Sequence, residues 1–310
     1  MRGHRWMPAI AGALVIVAAA PARAAERPAA VADIASLMTD GGSSSREARR
    51  QAVAAMGLER MAEPQRKAVE KCLRATTLYR HLPPQTFACN GDLLAFSLHK
   101  PETIVDLWRV LGISRLSLDP AGAGQWRLSD GYGTVGALRL VHRESRGQAG
   151  VLVFHGRGAY SGSLSPRQLS GTCVLLVRHS PAPADALGRA RQTVQIDAFL
   201  DMDGMGLEIV TRTLQPLIVR SAAANFHEIC LFMTNLSAAA EENPDGVARL
   251  AARLARTEPA DRQELARIAR AVGRDASRAR PDALAADPQR VQAELAARWL
   301  PAEQLDSLHR

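Results

Sequence analysis

Hydrophobic spacing changes character twice along this chain. From Arg46 to Met56, and again from Pro64 to Tyr79, apolar residues recur at helical intervals between charges, which predicts two amphipathic helices with Leu73 and Leu78 on the docking side of the second. Pro83-Pro84 then deliver the chain into Gln85–Cys89, a short strand expected at a sheet edge, where proline is tolerated. Asn90-Gly91-Asp92 caps a short helix through His99. Pro101 opens another, carrying Ile104, Val105, Leu107, Trp108 and Leu111, and Gly112 ends it.

The period then becomes that of strands. Ile113–Leu118, Gln125–Ser129, Thr134–His142, Gln148–Tyr160, Gly171–His179 and Thr193–Met202 are each apolar or alternating. Asp119-Pro120-Ala121-Gly122, Ser129-Asp130-Gly131, Arg146-Gly147 and Ser180-Pro181-Ala182-Pro183 punctuate them. Such short connections require an antiparallel meander, because parallel strands need long crossovers. In the last segment Val194, Ile196, Ala198, Leu200 and Met202 alternate with Thr193, Gln195, Asp197, Phe199 and Asp201. After Asp203-Gly204 the helical period returns as Val210, Leu214, Ile218, Ala222, Phe226, Ile229, Met233 and Leu236, running to Glu242. Pro216 predicts a kink or break after Gln215, and Asn243-Pro244-Asp245-Gly246 ends the helix.

Five segments follow from this pattern. Residues 1–24 read as a signal peptide: Arg2, His4 and Arg5 precede an apolar run from Ala9 to Ala20, and Ala22-Arg23-Ala24 supplies small residues for cleavage. The run is shorter than the roughly 20 residues a membrane span needs. Residues 25–45 are a Gly/Ser/Pro-rich linker, 46–80 an N-terminal helical segment and 81–244 the main domain. Residues 245–310 form an Ala/Arg-rich helical or partly disordered tail. The expected location is therefore periplasmic or secreted in a bacterium, with no transmembrane span in the mature chain.

Composition narrows the partners. The formal charge is +8, yet residues 81–244 carry 14 basic and 14 acidic side chains, so the main domain is neutral. That excludes a nucleic-acid binder, which needs a basic face on the folded domain. Ten of the 13 aromatic residues lie in the same stretch, enough for one good core. The four cysteines, Cys72, Cys89, Cys173 and Cys230, would meet an oxidising compartment. Cys72 and Cys89 flank the Pro-Pro turn and are the favoured disulfide, with Cys173 and Cys230 left as buried thiols or a second bridge.

The order of strand, two helices, six strands and a long helix resembles that of the START-like, or Bet v 1-like, helix-grip superfamily. Pro101–Gly112 is similar to the second helix of those domains. The chain also resembles uncharacterised exported bacterial proteins. The resemblance implies an α+β fold in which a curved antiparallel sheet of about seven strands grips a long C-terminal helix, with peripheral helices at both ends. It also implies a lipid or other apolar molecule held between sheet and helix. Trp108, Phe154, Leu200, Arg212, Ile218 and Phe226 are the candidate ligand-binding residues, Arg212 at the cavity mouth beside Glu208.

No catalytic, metal or cofactor motif completes itself. Gly131-Tyr132-Gly133-Thr134-Val135-Gly136 matches GxGxxG but leads into a strand, not a helix. Asp201-Met202-Asp203-Gly204 lacks the remaining ligands of a calcium loop. Ser161-Gly162-Ser163-Leu164-Ser165 lacks the elbow of a nucleophilic serine. His142, His155, His179 and Asp197 sit on strands without metal-ligand spacing. The expectation is a binding protein without a cofactor. A non-catalytic envelope scaffold contacting a protein partner through its flanking helices is the alternative, and an enzyme built on His155 or Asp197 the outsider.

Overall fold

A computed structural model describes residues 42–162, 168–203 and 215–279. The class is the expected one, α+β, with an antiparallel sheet and a long C-terminal helix. The sheet has eight strands, and the chain divides into two compact units.

The first unit contains α1 (Arg46–Ala54), α2 (Glu63–Ala75), β1 (Leu78–His81) and most of the meander: β3 (Ser117–Gly122), β4 (Gln125–Ser129), β5 (Thr134–Arg146), β6 (Ala149–Tyr160), β7 (Leu169–Ala182) and β8 (Arg191–Met202). Ser45 starts α1, its hydroxyl accepting from the Ala48 amide at 3.1 Å. The helical pattern read through to Tyr79 stops early, at Ala75. Thr76 and Thr77 are β-branched and stiff at χ1, and the Thr77 amide and hydroxyl both donate to the Leu200 carbonyl, at 2.8 and 3.0 Å. Leu78–His81 therefore joins the sheet as β1, antiparallel to β8. β2 (Gln85–Ala88) also pairs with β8.

Strand order is β1-β8-β7-β6-β5-β4-β3. Asp119–Gly122, expected as a turn, belongs to β3, where Pro120 faces Trp126 and the register slips before Gly122. Being the last strand of the order, β3 can hold a proline. On β5 a bulge between Leu140 and His142 leaves Val141 without a register partner, so alternation changes phase there. One sheet face carries Val153, Val174, Leu176, Tyr79 and Phe199, clustered with Ala52, Met56, Met61, Val69, Cys72 and Leu73 of α1, α2 and their connection. Tyr79 and Phe199 pack with ring centroids 4.7 Å apart. The opposite face is described with the site below.

The second unit contains α3 (Gly91–His99), α4 (Pro101–Val110), the later part of α5 (Gln215–Glu242), α6 (Pro244–Ala252) and α7 (Pro259–Ala279). Asn90 caps α3 through its side-chain oxygen, and its own amide donates to Ser237 Oγ on α5 at 2.9 Å. Trp108 meets Phe232 edge-on at 5.8 Å. Buried Asp106 accepts from the Arg256 amide at 2.9 Å and the Thr257 hydroxyl at 3.1 Å. The stretch read as a peripheral or partly disordered tail holds α6 and α7, which bury Val247, Ala251, Leu265, Ile268 and Val272. Its small residues make a close-packed helix pair in place of a large-residue core. Pro216 is the second residue of α5 as described; the expected helical stretch 204–214 before it lies outside the described residues.

Candidate functional site

Two features of the first unit are candidates, one on each sheet face. The first is the apolar face. Register places Trp126 and Leu128 of β4 beside Leu138 and Gly136 of β5, then Gly156 and Gly158 of β6, then Cys173 and Gly171 of β7. Phase alternation adds Leu152, Phe154 and Tyr160 on β6 and Leu175 and Val177 on β7. All of these side chains are buried. From β8 come Val194, Ile196, Ala198, Leu200 and Met202. Trp126 and Phe154 lie 6.2 Å apart, centroid to centroid. In these stretches the face holds no Asp, Glu, Lys, Arg or His. Arg139, His155, Arg157, Asp197 and Asp201 all fall on the alternate positions. The same face continues to Arg80 opposite Ala198, Arg143 opposite Leu152 and His179 opposite Gly150, so an apolar molecule would find dispersion contacts at its centre and polar groups toward its margins.

Of the expected ligand-binding residues, Phe154 and Leu200 are on this face and buried. Phe226 is buried on the part of α5 that belongs to the same unit. Trp108 belongs to the second unit, 4 % exposed, and its indole Nε1 has no hydrogen-bond partner among the described residues. Arg212, and Glu208 beside it, lie outside the described residues, as does the side chain of Ile218.

The second candidate is a cluster around Asp197, which is wholly buried on the face under α1 and α2. Tyr79 donates its hydroxyl to Asp197 Oδ1 at 2.8 Å, and His81 donates Nδ1–H to the same oxygen at 2.7 Å. Arg178 Nη2 donates to Oδ2 at 2.8 Å. The amide nitrogen of Gln195 then donates to His81 Nε2 at 2.8 Å, so both ring nitrogens are engaged. Burial, followed by the carboxylate beside it, pushes the Tyr79 phenol far above its ordinary value. A base must present a free ring nitrogen to its substrate, and here Gln195 covers it. The arrangement is a saturated carboxylate that ties β1 to β8 and β7. Nothing in the sequence pattern singled out Tyr79, His81, Arg178 and Gln195 as its partners; the pairing of β1 with β8 brings them together. His155, the other residue of the enzyme reading, is not among the donors to Asp197. Its imidazole is held below its ordinary value by burial and then by the Arg139 and Arg157 guanidinium groups.

The remaining motifs resolve locally. Asp130 Oδ1 accepts from the amides of Tyr132 and Thr134, at 2.7 and 2.9 Å, so the glycine-rich stretch is a turn into β5. Asp203 accepts from the Ser170 hydroxyl at 2.9 Å and pairs with Arg157 at 3.5 Å. No group of His, Cys, Asp and Glu able to hold a metal occurs among the described residues.

The expected Cys72–Cys89 bridge is not formed, and all four cysteines are buried thiols outside any disulfide. Cys72 points from α2 into the sheet, its thiol toward the Phe199 carbonyl at 3.9 Å, whereas Cys89 turns to the Asn90 carbonyl at 3.4 Å. Burial raises every thiol, Cys72 to about 11 and Cys89 to about 12. Cys173 falls on the apolar face, the opposite one from Cys72, because Val174 beside it belongs to the Cys72 cluster.

No protein-family profile matches the chain, and no curated protein does. Among solved structures it is similar to a conserved protein from Geobacillus kaustophilus, at 10 % identity and a TM-score of 0.28, over 48 % of this chain and 93 % of that one. It is also similar to an uncharacterised protein from Rhizobium leguminosarum, at 11 % identity and a TM-score of 0.27, over 49 % of this chain and 96 % of that one. Among the described residues no helix is long and apolar enough to cross a membrane.

Proposed function

We propose that this chain is an exported small-molecule binding protein of the START-like, helix-grip kind, holding a lipid or other apolar ligand against the sheet. The observation that carries the reading is the division of labour between the two sheet faces. One face keeps charges and hydrogen-bonding groups and is covered by α1 and α2. The other presents leucine, phenylalanine, tryptophan and glycine across its centre, with Arg80 opposite Ala198, Arg143 opposite Leu152 and His179 opposite Gly150 toward its margins. The element order supports it as well: β2, two helices, a six-strand meander and a long helix.

The scaffold alternative gains less support. The apolar residues of α1 and α2 are spent on the sheet, and those of α6 and α7 are buried within their own unit. That leaves their polar faces for a partner. Native mass spectrometry of the protein purified from its own envelope fraction, with lipid extraction, tests the choice. A stoichiometric apolar adduct is expected. A clean apo mass with a co-purifying subunit would replace this reading by the scaffold.

A further inference from the structure

The most exposed large apolar side chain among the described residues is Leu187, at 63 %. It stands at the tip of the β7–β8 hairpin, in the connection Pro183–Ala190. The turn beneath it is held through Asp185. Its Oδ1 accepts from the amides of Leu187 and Arg189, both at 2.9 Å, and its Oδ2 accepts from Arg189 Nε at 2.7 Å. The Asp185 amide donates to the Arg189 carbonyl at 3.1 Å, and the Gly188 amide donates to the Asp185 carbonyl at 2.9 Å. Gly188 takes a φ of 72°, which a side chain would resist, so the chain can reverse there.

A single exposed leucine needs no explanation by itself. This one is set apart by the turn that projects it and by what surrounds it. Pro183, Ala184, Ala186, Gly188 and Ala190 are all exposed around Leu187. Asp185 is the only acidic side chain between Ser180 and Ile196, and Arg189 balances its charge inside the turn. The neighbouring strand adds none: the Cys89 amide donates to the Ala190 carbonyl at 2.9 Å, and Thr86–Gly91 carries no charged residue. Arg191 follows at the start of β8, and its guanidinium pairs with no carboxylate among the described residues. The hairpin therefore ends in an apolar crown with no unbalanced anion and a cation behind it.

We propose that this hairpin tip is a membrane-contact site, at which Leu187 enters the surface of a bilayer bearing anionic head groups and Arg191 supplies the cation. Leucine brings the apolar area, while the alanines and prolines beside it have no polar side chain to desolvate. The preset turn leaves little conformational freedom to lose on docking. A basic residue near the surface adds an attraction that a neutral bilayer does not offer. One leucine and one arginine make a shallow, reversible attachment. A pocket on a protein partner is the other taker for a lone leucine, but a protein interface surrounds its apolar centre with a polar rim. The exposed neighbours of Leu187 are alanine, proline and glycine, which offer no such rim. The inference goes beyond the ligand reading, because attachment to a surface requires nothing bound against the sheet.

The test is flotation of the purified full-length chain with vesicles of mixed phosphatidylcholine and phosphatidylglycerol, and with phosphatidylcholine alone. The wild type should float with the mixed vesicles and be released as salt screens the charges. Leu187→Ser should lower the partition coefficient about tenfold, the order expected for one leucine's apolar area. Arg191→Gln should lower it about fivefold with the mixed vesicles and leave phosphatidylcholine unaffected. Leu187→Trp should still bind, with emission above that of the wild type that brominated phosphatidylcholine quenches. Leu187 faces solvent, so all variants should keep the wild-type thermal midpoint, which separates lost attachment from lost folding. Equal flotation of Leu187→Ser and wild type, or no flotation with either vesicle, overturns the membrane contact and leaves the ligand reading standing. A co-purifying protein released by Leu187→Ser, with vesicles ignored, overturns it too and gives the tip to a protein pocket.

Discussion

His81 on β1 and Asp197 on β8 are register partners across the sheet and also hydrogen-bond partners, Nδ1 to Oδ1 at 2.7 Å. Backbone pairing and side-chain pairing thus select the same alignment of a four-residue strand, which could otherwise slip along β8. A one-residue slip would carry Asp197 away from Tyr79 and Arg178 and turn Tyr79 out of its contact with Phe199.

Removing that carboxylate should be among the most damaging single changes in the first unit. Asp197→Ala is expected to cost about 3–5 kcal/mol, because it strands Arg178, His81 and Tyr79 together. Asp197→Asn, which still accepts hydrogen bonds, should cost less. Urea unfolding reads both through the midpoint at constant slope. A loss under about 1 kcal/mol for the alanine variant would show that the cluster does not hold β1 in place.

Taking away the Thr134 hydroxyl should have the opposite sign. The side chain is buried, and its hydroxyl makes no hydrogen bond to any described residue. With no partner to lose, Thr134→Val is expected to stabilise the ligand-free chain by about 1 kcal/mol. The thermal midpoint should rise by a few degrees, and a fall would mean that the hydroxyl is hydrogen-bonded.

The two buried glycines make a contrasting pair. Gly156→Ala meets the side chain of Cys173, so the loss, about 1–3 kcal/mol, should be largely recovered in the double variant with Cys173→Ala. Gly171→Ala meets the Asp201 backbone carbonyl, which no side-chain change can move aside. Chemical denaturation of Gly156→Ala and Gly171→Ala, each alone and combined with Cys173→Ala, decides it; equal rescue at both positions would contradict the geometry.

Thiol chemistry should be silent in the folded state. Only the thiolate reacts, and burial holds Cys72 and Cys89 well above neutral pH and the other two higher still. An aromatic disulfide reagent at pH 8 is expected to titrate none of the four rapidly, and all four after guanidinium unfolding. Fast reaction of any one in the native state would relocate that residue to the surface.

Acid should weaken the fold through two histidines. Burial holds His155 and His179 below the ordinary 6.5, assisted at His155 by Arg139 and Arg157 and opposed at His179 by a backbone hydrogen bond. The folded state therefore keeps them neutral where the unfolded chain already binds protons. Their contribution is present above 6.5 and is lost as pH falls below it. Unfolding free energies should decline from pH 7.5 to pH 5, and the decline should be shallower in the His155→Gln/His179→Gln double variant. An unchanged slope would assign the decline to other groups.

Much of the meander was legible because its signal is local. Alternation between Gln125 and Met202 marks the five strands β4 to β8 to within a few residues, and Asn90 and Pro101 mark the starts of α3 and α4 as capping chemistry requires. The failures are non-local. Tyr79 carries helical spacing from Pro64 onward, and only pairing with β8, over a hundred residues later, makes it a strand. Pro120 reads as a turn because its neighbour strand cannot be seen from one segment. The Asp197 cluster had one visible member, since its donors come from β1 and β7. Phe154 and Leu200, expected on the inner surface from the helix-grip resemblance, lie on the apolar face, but Thr134 reads as part of a glycine-rich turn. A buried polar residue reveals itself only through partners it lacks.

Pro120 also bears on the fate of the chain among its own copies. β3 ends the strand order, and the outer side of such a strand exposes backbone groups on which another molecule can build. A proline in the middle of β3, followed at once by a register slip, spoils that template, because an incoming strand would find a missing amide and a change of phase. Replacing Pro120 by valine would leave one molecule much as it is. It would also give a crowded population a smooth border for intermolecular pairing, the first step toward fibrils.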